Sequence, residues 1–246
     1  APKTVRTQDT PQRHASLNDW GYFFAYNAYD PSGQHQSGPI TFDAPDAIDL
    51  LADGSAPNFI AGADISGPFD YQWYGCDYAG GLYSIDTSNG AMTYIGPTIS
   101  VNGMTHDEIT GTWYVTSSNY LYTMDITTGS TTLIGPHGVA NTLIGLACDN
   151  WGNIYAYDVL WTGDSTLYSI NKATGAATAI GSMGYGFVYA QDCGYDHDYS
   201  MLYIAGYFND GTPSALLTCD VETGECVIVG SFEGRMEVDG LATLPW

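Results

Sequence analysis

LYSIDTSNGAMTYIG (Leu82 to Gly96), LYTMDITTGSTTLIG (Leu121 to Gly135), LYSINKATGAATAIG (Leu167 to Gly181) and LLTCDVETGECVIVG (Leu216 to Gly230) are four copies of one fifteen-residue pattern. Each has an apolar start, Asp or Asn at its fifth place, Asn or Thr before Gly at its ninth, and Gly at its end. The first halves alternate between two faces, as strands do. Gly90, Gly129, Gly175 and Gly224 stand where a hairpin turn needs a positive φ, which Gly adopts without strain. Four such hairpins, 39, 46 and 49 residues apart, predict a toroidal array of sheets, a β-propeller.

A second signature precedes each hairpin: IAGAD (Ile60 to Asp64), GMTHD (Gly103 to Asp107), GLACD (Gly145 to Asp149) and DCGYD (Asp192 to Asp196), with GLATL (Gly240 to Leu244) near the end. After it comes a strand with an apolar residue and Tyr, at Trp73 and Tyr74, Trp113 and Tyr114, Ile154 and Tyr155, and Leu202 and Tyr203. Each unit therefore has four strands. Four units are complete between Ile60 and Gly230, and a fifth is split between Val238 to Leu244 and the stretches Tyr22 to Asp30 and Pro39 to Asp43. The expected fold is all-β, a five-bladed propeller closed by N- and C-terminal strands sharing one blade, with six blades as the fallback because residues 1–63 exceed one blade's remainder. Closure of that kind removes exposed sheet edges.

Residues 1–19 read as a basic arm and 20–246 as the propeller domain. The stretch Ala44 to Gly54 reads as an inter-blade insertion with a turn or two of helix. The split blade lacks one strand, and the arm is the expected donor, either within its own chain or to a neighbour by β-augmentation. Repeated head-to-tail donation builds a filament unless the rotation closes a ring.

Charge divides along the same line. The net charge is −22, yet Lys3, Arg6 and Arg13 fall in the first sixteen residues with only Asp9 against them. The remaining 230 residues carry Lys172 and Arg235 against 26 acids. An acidic body excludes nucleic acid and anionic lipid as partners and suits a basic one, the arm of another copy included. No apolar run reaches the ~20 residues that cross a bilayer, so membrane insertion is not expected. The start at Ala1 without Met fits a product whose export signal has been removed, and the Lys-poor, Thr- and Tyr-rich composition fits a secreted or cell-surface location.

Asp64, Asp107, Asp149 and Asp196 end the innermost strands and are the candidate metal ligands, with Ca²⁺ the one candidate cofactor. A general acid and base drawn from them would suit a glycoside-active enzyme. The competing reading is structural: Asp at a strand end accepts bonds from the next turn's amides, and these four obey the repeat where a catalytic set should break it. Cys219 and Cys226 flank the DVETGE turn and are the expected disulfide; Cys148 and Cys193 are a weaker pair, and an odd Cys remains. The five His are scattered and assemble no Ser-His-Asp set. Tyr71, Trp73, Trp161, Tyr185, Tyr195, Tyr199 and Tyr207 fall in or near loops, where aromatic faces stack on sugars.

The paired signatures resemble the GLAYD-type repeats of secreted prokaryotic β-propellers, over roughly Ile60 to Leu244. The departures are Ile60 to Asp64, which lacks the leading Gly, and Leu244, which stands for the Asp. The resemblance implies the fold, in surface, adhesive and exported proteins, and carries no chemistry of its own. The docking motif of quinone-dependent propeller dehydrogenases is not found, and no cofactor is carried over. The expected function is an extracellular, non-enzymatic structural or adhesive protein that polymerises through its arm. A glycan-binding propeller is the alternative and a glycoside-active enzyme the third reading.

Overall fold

The computed structural model describes residues 23–29, 36–40, 45, 48, 51–53, 59–67, 71–189 and 191–243. The chain begins with β1 (Phe23–Tyr29), β2 (Gln36–Ile40) and β3 (Ala52–Asp53). Blade 1 is β4 (Ile60–Ile65), β5 (Trp73–Asp77), β6 (Gly81–Ile85) and β7 (Met92–Pro97). Blade 2 is β8 (Gly103–Asp107), β9 (Thr112–Ser117), β10 (Tyr120–Met124) and β11 (Thr131–Pro136). Blade 3 is β12 (Leu143–Cys148), β13 (Ile154–Asp158), β14 (Thr166–Ile170) and β15 (Ala177–Ser182). Blade 4 is β16 (Cys193–Asp196), β17 (Met201–Gly206), β18 (Ala215–Cys219) and β19 (Cys226–Ser231). Then β20 (Glu237–Thr243) pairs with β1, and the order β20-β1-β2-β3 makes the fifth blade. The fold is the expected all-β, five-bladed propeller, closed by strands from both ends of the chain.

The repeat's glycines have two jobs. Gly90, Gly129, Gly175 and Gly224 have φ between 70° and 83°, as the turns require. Three of them also meet the preceding blade. A Cβ on Gly129 would lie 2.6 Å from the Pro97 carbonyl oxygen, and one on Gly224 would lie 2.7 Å from that of Gly181. These three hairpin turns are therefore seated on the closing Gly of the hairpin before them, with no room for a side chain at either place.

Every hairpin carries a register shift at the same point, between Leu82 and Tyr83, Leu121 and Tyr122, Leu167 and Tyr168, and Leu216 and Leu217. The extra residue is Ile95, Ile134, Ile180 or Val229, and the bulge bends the outer strand. Those four side chains pack on the interior clusters between neighbouring blades. Among the described residues there are five such clusters, one at each blade-to-blade contact, and burial of their apolar surface is what joins the sheets.

Five expectations need correction. The fourth strand of the split blade is supplied by Ala52–Asp53, which pair with Ser37 and Gln36; the blade reaches four strands without the arm. The arm, with Lys3, Arg6 and Arg13, lies outside the described residues. Asp64 is not the counterpart of Asp107. Ile65 pairs with Trp73 as His106 pairs with Trp113, which aligns Gly62 with Gly103 and Ser66 with Asp107. Cys219 and Cys226 are direct cross-strand partners, as the spacing predicts, but they are free thiols, as is every Cys. Both sulfurs take the Gly224 carbonyl as acceptor, at 3.3 and 3.6 Å. Cys148 and Cys193 are held in different clusters, because Cys193 stands beside Gly145, three residues before Cys148. Trp73 is a core residue of β5, and Tyr195 is buried on β16.

Candidate functional site

In a four-stranded antiparallel blade, the turns that follow the first and third strands open on one face of the wheel. The connections that follow the second and fourth strands open on the other.

On the turn face the strand-end carboxylates are occupied. Asp149 accepts from the Trp151 and Asn153 amides at 2.9 and 2.7 Å, from Asn153 Nδ2 at 2.8 Å and from the Tyr155 hydroxyl at 3.1 Å. Asp196 accepts from the Asp198 and Tyr199 amides at 3.0 and 3.1 Å. Asp107 accepts from the Ile109 amide at 3.0 Å and pairs with Lys172 of blade 3 at 2.6 Å. Burial pushes the Asp107 carboxyl up, and Lys172 with Thr110 more than reverses that. Asp64 reaches the next blade, accepting from the His106 amide at 2.8 Å and the Thr105 hydroxyl at 2.9 Å. Burial outweighs those bonds, and its pKa is pushed up to about 6. Among the described residues no three His, Cys, Asp or Glu side chains converge as a metal-ligand set. The four Asp residues are thus spread over turns and inter-blade bonds, each spent locally.

Around the axis the innermost strands touch backbone to backbone. A Cβ on Gly62 would lie 2.8 Å from the Gly103 carbonyl carbon, and one on Gly103 would lie 2.6 Å from that of Gly145. In blade 4 the corresponding residue is Asp192, and it breaks the symmetry. Its Oδ2 accepts from the Ala63 amide of blade 1 at 3.0 Å and the Leu241 amide of blade 5 at 3.1 Å. It thereby clamps the two blades where the ring closes. Among the described residues its Oδ1 has no hydrogen-bond partner, and the same is true of Oδ1 of Asp239, also fully buried. Burial pushes both carboxyls well above the ordinary range, each helped by a neighbouring carboxylate: Asp64 beside Asp192, and Glu237 beside Asp239.

The opposite face carries the asymmetry of the surface. In blade 2 the second and third strands are joined by Ser118 and Asn119 alone, whereas blades 3 and 4 insert 159–165 and 207–214 there. The segment 183–192 between these blades is also extended compared with 98–102 between blades 1 and 2. These insertions are fastened to one another. Leu160 donates to the Phe187 carbonyl at 2.8 Å, Ser165 to that of Tyr185 at 2.7 Å and Val188 to that of Tyr207 at 3.0 Å. Asn209 Nδ2 donates to the carbonyls of Leu160 and Gly163, both at 3.0 Å, and Gln191 closes the third side by donating to Val188 and accepting from Tyr207. Phe187 and Phe208 are buried beneath, 5.5 Å apart.

On that foundation stands a ladder of rings. Trp161 lies 5.6 Å from Tyr189, Tyr189 lies 5.4 Å from Tyr207, and the Arg235 guanidinium sits 5.2 Å over the Tyr207 ring. Trp161 is 75% exposed and Tyr189 52%. Tyr189 and Arg235 are held in the left-handed region at φ 66° and 61°, a costly conformation for a residue with a Cβ that clusters at ligand sites. Well-fastened loops presenting bare aromatic faces can stack on the C–H face of a sugar or another flat apolar group.

Of the aromatics marked in the sequence, Trp161, Tyr185 and Tyr207 come together in this region, with Tyr185 packed on Phe208. Tyr71 and Tyr199 are exposed outside the ladder. Tyr189, Arg235 and Asp192 were missed as site residues. The hairpin spacings of 39, 46 and 49 residues hold the signal, because the two longer ones contain the inserted loops.

No protein-family model matches the chain, and no curated protein does. Solved structures are similar in fold. TolB from Acinetobacter baumannii is matched at TM-score 0.54 and 14% identity, over 93% of this chain and 68% of that one. A protein of unknown function from Bacteroides caccae is matched at TM-score 0.51 and 11% identity, over 91% of this chain and 86% of that one. The first match, a protein of unknown function from Bacteroides thetaiotaomicron, has TM-score 0.48 and 16% identity over 70% of this chain, which spans 43% of its length. At these identities the likeness is one of fold: this chain is a five-bladed β-propeller with TolB-like structural neighbours.

Proposed function

We propose that the protein is a non-enzymatic adhesive propeller of the cell exterior that holds carbohydrate on the aromatic ladder. The observation that carries this reading is the bare Trp161 and Tyr189 pair on loops that depart from the repeat and are fastened by hydrogen bonds. Because those loops are already ordered, a ligand loses little affinity to ordering them. The acidic, Lys-poor composition supports an exterior location. No helix of the described residues is long and apolar enough to cross a membrane. A glycan array probed with the intact protein, followed by calorimetry on the hits with Trp161→Ala, is the test. Binding that weakens in the variant is the expected result; an array without hits overturns the reading.

A second contribution, assembly of copies through residues 1–19, is supported by the charge division alone. Size-exclusion chromatography of the full chain beside a version starting at Trp20 tests it. Larger particles from the full chain are expected, and equal monomers overturn it.

A further inference from the structure

The ladder ends on a cation, and that end bears on which sugars it takes. Of the five Lys and Arg residues, two lie among the described residues. Lys172 is engaged by Asp107 at 2.6 Å. Arg235 is exposed, and among the described residues no carboxylate pairs with it although the chain holds 27 acids. Its backbone is no accident of a loose loop: Gly234 and Arg235 are consecutive left-handed residues, at φ 62° and 61°. The carbonyl of Glu233 is tied to the Met236 amide at 3.2 Å, and Phe232 and Met236 on either side are buried. The segment is anchored at both ends, and its strained middle lifts the guanidinium onto Tyr207. Stacked on the ring through one face, a guanidinium keeps its N–H edge for a planar anion.

We infer that the ladder selects acidic saccharides, with Arg235 receiving a carboxylate or sulfate on the sugar while Trp161 and Tyr189 carry the ring faces. This rests on the carbohydrate-binding reading and names its ligand class. The acidic body opposes such a ligand at long range, so selectivity has to come from the short-range contact. Arg235 is then a specificity residue.

The test is calorimetric titration of the intact protein with three oligosaccharides of one backbone and length: neutral, uronate-bearing and sulfated. Wild type, Arg235→Gln and Trp161→Ala are compared, with thermal unfolding as the check that each is folded. The expected result is preference for one or both acidic forms by about tenfold or more, since hydrogen bonds to charged groups are strong. That preference should vanish in Arg235→Gln while neutral binding stays, and Trp161→Ala should weaken all three. Preference for the uronate or for the sulfate identifies the anion. Equal binding of all three, or a preference that survives Arg235→Gln, overturns the inference and leaves carbohydrate binding standing. Failure of all three to bind overturns both.

Discussion

The two faces of the wheel differ in what their side chains are left to do. On the turn face Asp149 takes four bonds and Asp107 takes Lys172, so polar groups that look like a site are spent in holding the turns and blades. On the long-loop face the hydrogen bonds are made between backbones and by Asn209 and Gln191, and what remains on the surface is Trp161, Tyr189 and Arg235. Repetition marks structure here, and departure from repetition marks the candidate site. The strand-end carboxylate that closes a turn recurs in blades 2, 3 and 4, at Asp107, Asp149 and Asp196. A group that meets a ligand is needed once.

That contrast can be broken at its ends. The largest effect is expected at the hub. Asp192→Ala would leave the buried amides of Ala63 and Leu241 without an acceptor and should cost about 3 kcal/mol of unfolding free energy in urea titrations. Asp192→Asn keeps an acceptor oxygen and should cost far less. The same pair yields a pH signature. Because the folded-state pKa of Asp192 is raised by burial, its stability contribution is complete below the unfolded carboxylate pKa of about 3.9 and declines as pH rises toward the folded value. Measured from pH 4 to 8, wild type should lose stability relative to Asp192→Asn; a constant difference would show that the carboxyl titrates normally.

Next comes the turn face: Asp149→Ala should cost about 2 kcal/mol of stability, judged from the donors it frees, with sugar binding intact in the folded protein. Trp161→Ala should do the converse, weakening binding by about 2 kcal/mol, roughly thirtyfold, with stability unchanged. Smallest of all is Trp151→Ala, which removes an aromatic 68% exposed on the turn face and should move stability by less than about 0.5 kcal/mol and binding not at all. Equal losses of binding from Trp151→Ala and Trp161→Ala would erase the distinction between the faces.

Much of this was legible in the residues. The alternation and the turn glycines specify the hairpins because they are local demands, and the shared blade follows from counting strands. What escaped was non-local. Asp64 looked like the partner of Asp107 because each ends a five-residue run, IAGAD or GMTHD, that precedes a Trp-Tyr strand, yet the ladder pairs Ile65 with Trp73 and shifts the match by two places. Ala52–Asp53 form too short a strand to show as a periodicity, and they leave the split blade without need of the arm. The ladder joins residues far apart along the chain, and only the spacing between hairpins hinted at it.

By itself the sequence determined the repeating unit, its count and the all-β class, because strand alternation and a positive-φ turn depend on neighbours a few residues away. The tertiary structure decided where the blades touch: why Gly129 and Gly224 have no room for a side chain, why Asp192 sits among glycines and clamps blade 1 to blade 5, and which aromatics are left bare. Those outcomes depend on distances of a few ångströms between segments that are remote in the chain, and close packing alone sets such distances.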